Sequence, residues 1–428
     1  MKVCTAYGAG FFFIPGTDTC LKIGGRVRAD YAYVPAKDTY SALGVVAGTS
    51  TAPVLSTDAS TQNTIGTEAR GVVNFDARTA TAWGTVQTAA AFQMTRTTGV
   101  LSSSNAAVDK DTKPTVVFAY VRFAGFTFGA SRDNFAFMPS LTYGAGHWGS
   151  FANGAKQLAY TATFGGGVSA TIALQDYSDT AASTADNTTA AVKPYYIYNS
   201  APQVNANVRI DQSWGALQLM GAYADVSVNT ATNTFDKSKG VYAIGAGAKI
   251  NLPMLAKGDA LYLTAAYANG MTEYTTNWSS NKSSAYSRDV GGFTMNHPSL
   301  VANGTNAAGS LETVKSWSIA ALFEHYWTPQ YRSVVFGTYG QLDAPASAKA
   351  NLWDGKKGFG DATVWNIGTN FAWLPTTGLE IGVEVIYARV NQDVRGYTAA
   401  STALVPVTAV SSRSDSNLTG RLRVERTF

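Results

Sequence analysis

The stretch Leu21-Lys22-Ile23-Gly24-Gly25-Arg26-Val27-Arg28-Ala29-Asp30-Tyr31-Ala32-Tyr33 decides the fold. Leu21, Ile23, Val27, Ala29, Tyr31 and Tyr33 alternate with Lys22, Gly24, Arg26, Arg28, Asp30 and Ala32. A period of two marks a strand whose two faces differ chemically, and a helical period of 3.6 does not fit it. The same alternation recurs outward from this segment. Gly71, Val73, Phe75 and Ala77 interleave with Arg70, Asn74, Asp76 and Arg78. Val204, Ala206, Val208 and Ile210 interleave with Asn205, Asn207, Arg209 and Asp211, and Leu418, Gly420, Leu422 and Val424 with Thr419, Arg421, Arg423 and Glu425.

Composition agrees with a large two-faced sheet. Only 14% of the 428 residues are charged, against about 25% in ordinary globular chains, and Gly (41), Tyr (22) and Phe (20) fill the difference together with small polar residues. No run approaches the roughly 18 consecutive apolar residues of a spanning helix. The N-terminus lacks the basic segment, apolar core and cleavage site of a leader, so Met1 reads as a start residue on a mature sequence; a cytoplasmic origin accounts for that equally well. The net charge of +4 is small and its basic residues are scattered singly, which gives no footprint for nucleic acid. Cys4 and Cys20 are the two cysteines. In an exported chain they most simply close the N-terminal segment 1–20 with one disulfide, and the alternative is a pair of unlinked small core residues.

The connections between strands are of two kinds that take turns. Short ones carry turn residues, as at Ala124-Gly125, Gly165-Gly166-Gly167, Ser213-Trp214-Gly215, Lys257-Gly258-Asp259, Thr328-Pro329-Gln330 and Pro375-Thr376-Thr377-Gly378. Long ones, rich in Ser, Thr, Asn and Ala, cover roughly 35–67, 98–113, 134–156, 178–192, 229–238, 271–314, 344–361 and 391–416. Eight long loops separated by seven strand–turn–strand units, with one strand at each end, make sixteen strands in a single domain over 1–428. Short turns on one side and long loops on the other are the pattern of an antiparallel transmembrane β-barrel. Closure follows, because an open edge in lipid leaves backbone groups unpaired at several kcal/mol each. A soluble sandwich or β-helix would alternate too. The membrane reading gains from aromatics near strand ends (Tyr31, Tyr33, Trp83, Tyr267, Tyr326, Trp327, Trp365, Trp373, Tyr387), as in interfacial girdles, and from the terminal Phe428.

The N-terminal run Lys2-Val3-Cys4-Thr5-Ala6-Tyr7-Gly8-Ala9-Gly10-Phe11-Phe12-Phe13-Ile14-Pro15-Gly16-Thr17-Asp18-Thr19-Cys20, continuing through Leu21-Lys22-Ile23-Gly24-Gly25, closely resembles the start of mature alphaproteobacterial outer-membrane porins. The ending Leu422-Arg423-Val424-Glu425-Arg426-Thr427-Phe428 is similar to that family's last strand. Between the ends the likeness is architectural. The resemblance implies an outer-membrane homotrimer of sixteen-stranded barrels, with short periplasmic turns, long extracellular loops and a third loop that folds inward as a constriction. That loop falls at 134–156. General porins tend to place acids on it opposite an arginine cluster, whereas Asn134–Lys156 here holds no Asp or Glu, which puts the usual transverse field in doubt.

If the apolar faces meet lipid, the alternating partners line the pore, since Arg or Lys at the lipid midplane costs about 2–4 kcal/mol. The candidate pore-lining residues are Arg26, Arg28, Arg70, Arg78, Arg122, Arg132, Asp133, Arg209 and Glu384, with Lys22, Lys249, Arg421, Arg423, Asp30, Asp76, Asp211, Glu324, Glu380 and Glu425 of the same parity. Arg26, Arg28, Arg78 and Arg122 are expected to form a basic wall facing the third loop, and some of these charges to hold strands together by pairing. Met138, Tyr143, His147, Trp148 and Phe151 are the constriction-loop candidates: they pin the loop to the wall, or they present a greasy strip to solutes.

Enzymatic signals are weak. His147, His297 and His325 are too far apart for a local metal motif, no Ser–His pair follows from spacing, and Gly165-Gly166-Gly167 lacks the Lys and helix of a phosphate loop. Asp58, Glu68, Asp109, Asp111 and Asp179 are loop acids that could hold divalent cations at a lipopolysaccharide surface and otherwise are simply solvated. The expected function is passive diffusion of small hydrophilic solutes and ions, without enzyme activity or cofactor and with outer-membrane lipid and lipopolysaccharide as surroundings. A solute-specific channel is the alternative, and a surface adhesin a more distant one.

Overall fold

The computed structural model describes residues 2–36, 39–40, 55–57, 60, 63–102, 110–111, 113–144, 153–176, 184–186, 195–199, 201–230, 236–276, 300–303, 309–353, 360–395 and 410–428. Sixteen antiparallel strands close into one ring. In chain order they are β1 (Cys20–Tyr33), β2 (Ile65–Thr81), β3 (Gly84–Thr97), β4 (Thr115–Phe123), β5 (Phe126–Arg132), β6 (Asn153–Gly165), β7 (Val168–Gln175) and β8 (Gln203–Gln212). They continue as β9 (Gly215–Thr230), β10 (Asp236–Asn251), β11 (Ala260–Asn269), β12 (Lys315–Thr328), β13 (Tyr331–Asp343), β14 (Ala362–Thr376), β15 (Leu379–Arg395) and β16 (Val410–Thr427). Each pairs with its sequence neighbours. β16 returns to β1 in a register running from Arg26↔Thr427 to Tyr33↔Gly420. Phe428 extends this seam by exchanging both backbone hydrogen bonds with Gly25.

The alternation becomes an inside and an outside. Leu219, Ile319 and Ile367 are each more than half exposed on the outer wall, whereas Asp30, Gln218 and Asn370 are buried on the inner one. An outer furrow of about 840 Å³, lined by Leu217, Leu219, Ala246, Ala248, Ile319 and Ala321, belongs to this lipid-facing belt. No helix of the described residues is long and apolar enough to cross a membrane, and the crossing elements are strands. The seventh short turn, which the turn residues had not marked, is Ala82-Trp83 before Gly84; Trp83 stands 82% exposed there. The fifth long loop is shorter than the composition suggested, because β9 and β10 extend to leave only 231–235 between them.

The inner face is not polar throughout. Toward the long-loop end, Val226, Val228, Val241, Ala243 and Ala268 point inward and are covered by Met271, Tyr274, Leu300 and Leu311 of the sixth loop. A second apolar cluster joins Val301 to Leu342, Val364, Ala388 and Val390, with Ala348 of helix α1 (Ala346–Trp353) packed in. The described parts of loops six and seven thus fold inward over β9–β15. Apolar parity on those strand ends marks loop docking rather than lipid.

The N-terminal segment is also inside. Cys4 and Cys20 are disulfide-bonded and buried with Phe11. The lobe they close packs on inward-facing side chains: the Arg78 guanidinium lies 5.1 Å from the Phe11 ring centre and 5.7 Å from that of Tyr7, and the Lys22 ammonium 6.0 Å from Phe11. Of the expected girdle aromatics, Tyr326 departs from the pattern: it turns to the lumen side, where its hydroxyl donates to Glu324 at 3.1 Å. Trp327 remains outside, its indole N–H donating to Ser333.

Candidate functional site

The third loop leaves β5 at Asp133 and crosses the lumen to β16; β6 begins at Asn153, so the loop occupies 133–152 rather than 134–156. Asp133 anchors its start. The carboxylate accepts from the Phe135 backbone N–H (2.8 Å), from Asn205 (2.9 Å) and from the Tyr274 hydroxyl (3.1 Å). Burial, and after it the charge of Asp133, pushes the Tyr274 phenol well above its ordinary value, so it stays protonated and able to donate. The alternation placed Asp133 in the pore lining. It is instead 2% exposed, because the loop and these wall groups enclose it.

Beyond Asp133 the loop lies on glycines. A Cβ at Gly247 would overlap the Phe137 ring, and one at Gly245 would stand 3.0 Å from Phe135. Met138 sinks among Ala320, Leu322, Val334, Phe336 and Ile386 of β12, β13 and β15. A Cβ at Gly382 would overlap the Tyr143 hydroxyl. Inward glycines within strands are thus sockets for the loop, a signal the sequence carried, since such a glycine marks close backbone approach.

The tip is fastened by backbone groups. Tyr143 N–H donates to Glu384 Oε2 (2.7 Å) and Gly144 N–H to Oε1 (2.5 Å), while Asn370 donates to the Leu141 carbonyl (2.9 Å). The Tyr143 hydroxyl donates to Glu380 (2.5 Å), and burial together with that carboxylate holds its pKa far above the usual tyrosine value. Glu384, expected as a pore charge, is 2% exposed because loop N–H groups cover it. On the other side Arg421 and Arg423 donate to the Tyr143 carbonyl (2.6 and 3.0 Å), and Arg132 to the Met138 carbonyl (2.7 Å). The loop therefore meets wall arginines with neutral carbonyl oxygens where carboxylates would have neutralised them.

These contacts amend the expected basic wall. Among the described residues it is Arg421, Arg423 and Arg132 that hydrogen-bond to the loop; Arg26, Arg28, Arg78 and Arg122 make no hydrogen bond to its described part, 133–144. Arg28 and Arg70 share Glu68 at 2.8 Å each, Arg26 and Arg28 approach Glu425 (3.6 and 4.0 Å), and Arg423 grips Asp30 with two bonds of 2.7 Å. Glu68 thus belongs to β2 and its ion network rather than to a loop. Arg26, Arg28, Arg70, Arg421 and Arg423 outnumber Asp30, Glu68, Glu425 and the neighbouring Glu384 of β15, so this ladder across β2, β1, β16 and β15 keeps one positive charge. Arg78 pairs with Asp76 beside the N-terminal lobe, Arg122 lies over the Tyr120 ring, and Arg209 pairs with Asp211 over Phe137.

His147, Trp148 and Phe151 lie outside the described residues, as do His297, Asp58, Asp109 and Asp179. His325 contacts Asp259 at 2.6 Å beside Trp327 at the turn end of the barrel. Among the described residues no three His, Cys, Asp or Glu side chains gather as metal ligands.

Comparison with known proteins follows from this geometry. Porin Omp2b of Brucella abortus (strain 2308) is 28% identical over 237 residues, which are 53% of this chain and 57% of that protein. Porin Omp2a of Brucella melitensis biotype 1 is 29% identical over 243 residues, 54% of this chain and 59% of the relative. The matches thus span little more than half the length of these relatives. Among solved structures, the outer membrane channel DcaP of Acinetobacter baumannii superposes with a TM-score of 0.63 at 15% identity, covering 97% of this chain and 99% of that one, a likeness of fold alone. The trimer form of OmpT of Vibrio cholerae has a TM-score of 0.50 at 11% identity, covering 96% of this chain and 100% of the other. The model described as Porin subfamily matches residues 1–416, and the chain accordingly belongs to that family of multi-pass bacterial outer-membrane β-barrels.

Proposed function

We propose that the chain forms a water-filled pore for passive diffusion of small hydrophilic solutes and ions, with a mild preference for anions, and works as a homotrimer. The observation that carries this reading is the path of loop three. It is pinned on the β8–β15 side through Gly245, Gly247 and Gly382 and tied at its tip to Arg421 and Arg423 of β16, which leaves the rest of the lumen bordered by the charged side chains of β1, β2 and β4. The surplus of arginine on that border and on β16, where loop carbonyls meet it, biases passage toward anions, as rings of side-chain charge do in wide pores. A trimer agrees with the trimer form of the Vibrio cholerae neighbour. A solute-specific aromatic strip has less support, because Phe135, Met138 and Tyr143 are buried against the wall. Single-channel recording of the purified protein in a planar bilayer tests the reading. Stepwise insertions with three equal closures and a small reversal potential of anion sign in a KCl gradient are expected, and a folded barrel without current would overturn it.

A further inference from the structure

Between loop three and the turn end, the lumen opens into a cavity of about 550 Å³ walled by β2–β6 and by Tyr7 of the disulfide-closed lobe. Its cationic lining is Arg78, Arg122 and Arg132. Arg78 is satisfied by Asp76 at 2.7 Å. Arg122 and Arg132 are different: both are exposed to the lumen, and among the described residues neither forms an ion pair. The Arg122 guanidinium lies 4.4 Å from the Tyr120 ring centre, so its face is occupied by the ring while its N–H edges remain available. Arg132 donates one N–H to the Met138 carbonyl and so is oriented by the loop without being neutralised. Two neighbouring charges act on it, the positive one of Arg209 and the opposing one of Asp133, whose carboxylate is itself bonded to Phe135, Asn205 and Tyr274.

Two oriented guanidinium forks, neither of them in an ion pair among the described residues, match the paired oxygens of an oxyanion, to which a fork can donate two parallel hydrogen bonds. A chloride ion gains no such fit. The candidate polar competitors nearby are already engaged: Gln157 bonds Ser131 and the Arg132 carbonyl, and Asn134 bonds Gln157. We propose that this vestibule is a binding subsite for small multivalent oxyanions of the phosphate or phosphate-ester kind, with Arg122 and Arg132 as clamps and Tyr7 at the rim. The proposal rests on the pore reading above and adds a substrate class and a place to it.

Inorganic phosphate is the probe. Current through the trimer in KCl is recorded at constant ionic strength while phosphate is added to one compartment at a time. A saturable reduction of current is expected, stronger from the side of the short turns. Arg122→Gln and Arg132→Gln should each weaken the half-saturating concentration about tenfold, the effect of losing a charged bidentate contact. Arg122→Lys, which keeps the charge without the fork, should recover only part. Lys257→Gln, on an exposed turn at the same end, should change nothing. A conducting channel whose phosphate response is linear, or is unchanged in both glutamine variants, overturns the site and leaves the pore standing. Absence of current overturns the pore reading itself.

Discussion

The backbone N–H of Tyr143 donates to Oε2 of Glu384 across 2.7 Å, joining residues 241 positions apart in sequence, one on the third loop and one on the barrel wall beneath it. Its neighbour Gly144 takes the other carboxylate oxygen, so one buried acid holds two successive loop amides. Glu384→Ala should free the tip. Hydrogen bonds to a charged partner are worth about 1.5–3 kcal/mol each, enough to turn a docked loop into a fluctuating one. Open-channel noise and mean conductance should both rise in single-channel records. Unchanged traces would show that the tip is held elsewhere.

Gly382→Val asks the same question sterically. Its Cβ overlaps the Tyr143 hydroxyl, so the phenol must leave Glu380 and the tip should lift. Gly247→Val should act likewise on Phe137. Gly71→Ala is the matched control, because nothing lies within 4 Å of the added atom. Sizing the pore with neutral polymers should show a wider channel in the first two variants and the parental size in the third.

Asp30 is buried and bonded twice by Arg423, with Arg28 and Arg421 3.7 and 3.6 Å away. Removing it leaves several arginines without their common acid. Asp30→Ala should therefore cost about 3–5 kcal/mol, the usual penalty for breaking a buried pair from one side. Replacing both partners by Asp30→Ala with Arg423→Leu should recover part of the loss. The temperature at which the folded band disappears in a gel-shift assay reports both outcomes.

The pH response should come from the phenol of Tyr143. Its folded pKa is raised, so the docked loop has full stability below the ordinary tyrosine pKa and loses it as pH climbs beyond about 10, by about 1.4 kcal/mol per unit. Loop noise should grow as pH rises beyond about 10 and not below it. Tyr143→Phe should abolish that growth, whereas lysines that titrate in the same range would leave it in place.

The ring of strands was legible because each strand advertises its own two faces: Leu21–Tyr33 needs no partner to be read, and the pairing of the cysteines needs only an exported chain. What covers an inward face is not local information. Glu384 and Asp133 carry the right parity for a pore, but parity does not say that a loop lies over them. Arg421 and Arg423 found the third loop through the carbonyl of Tyr143, a group every residue possesses and no residue type announces. Val226, Val228 and Val241 look like lipid-facing residues until the sixth loop is laid on them. The inward glycines were the readable exception, since Gly245, Gly247 and Gly382 interrupt strands where a side chain would otherwise stand. Tyr7 and Phe11 share no periodicity with Arg78, so their stacking could be seen only in three dimensions.

The disulfide lobe bears on the order in which the molecule is built. Cys4 and Cys20 are separated by 16 positions, whereas the seam brings Asp30 to Arg423 over 393. Closing a short segment costs far less chain entropy than closing a long one, so the lobe is expected to take shape while the far strands are still unpaired. It then rests on the side of β1 that carries Lys22 and on the side of β2 that carries Arg78. When the last strand arrives at β1, one surface is already occupied and the other is bare. The interior is thereby chosen before there is an enclosure to have one.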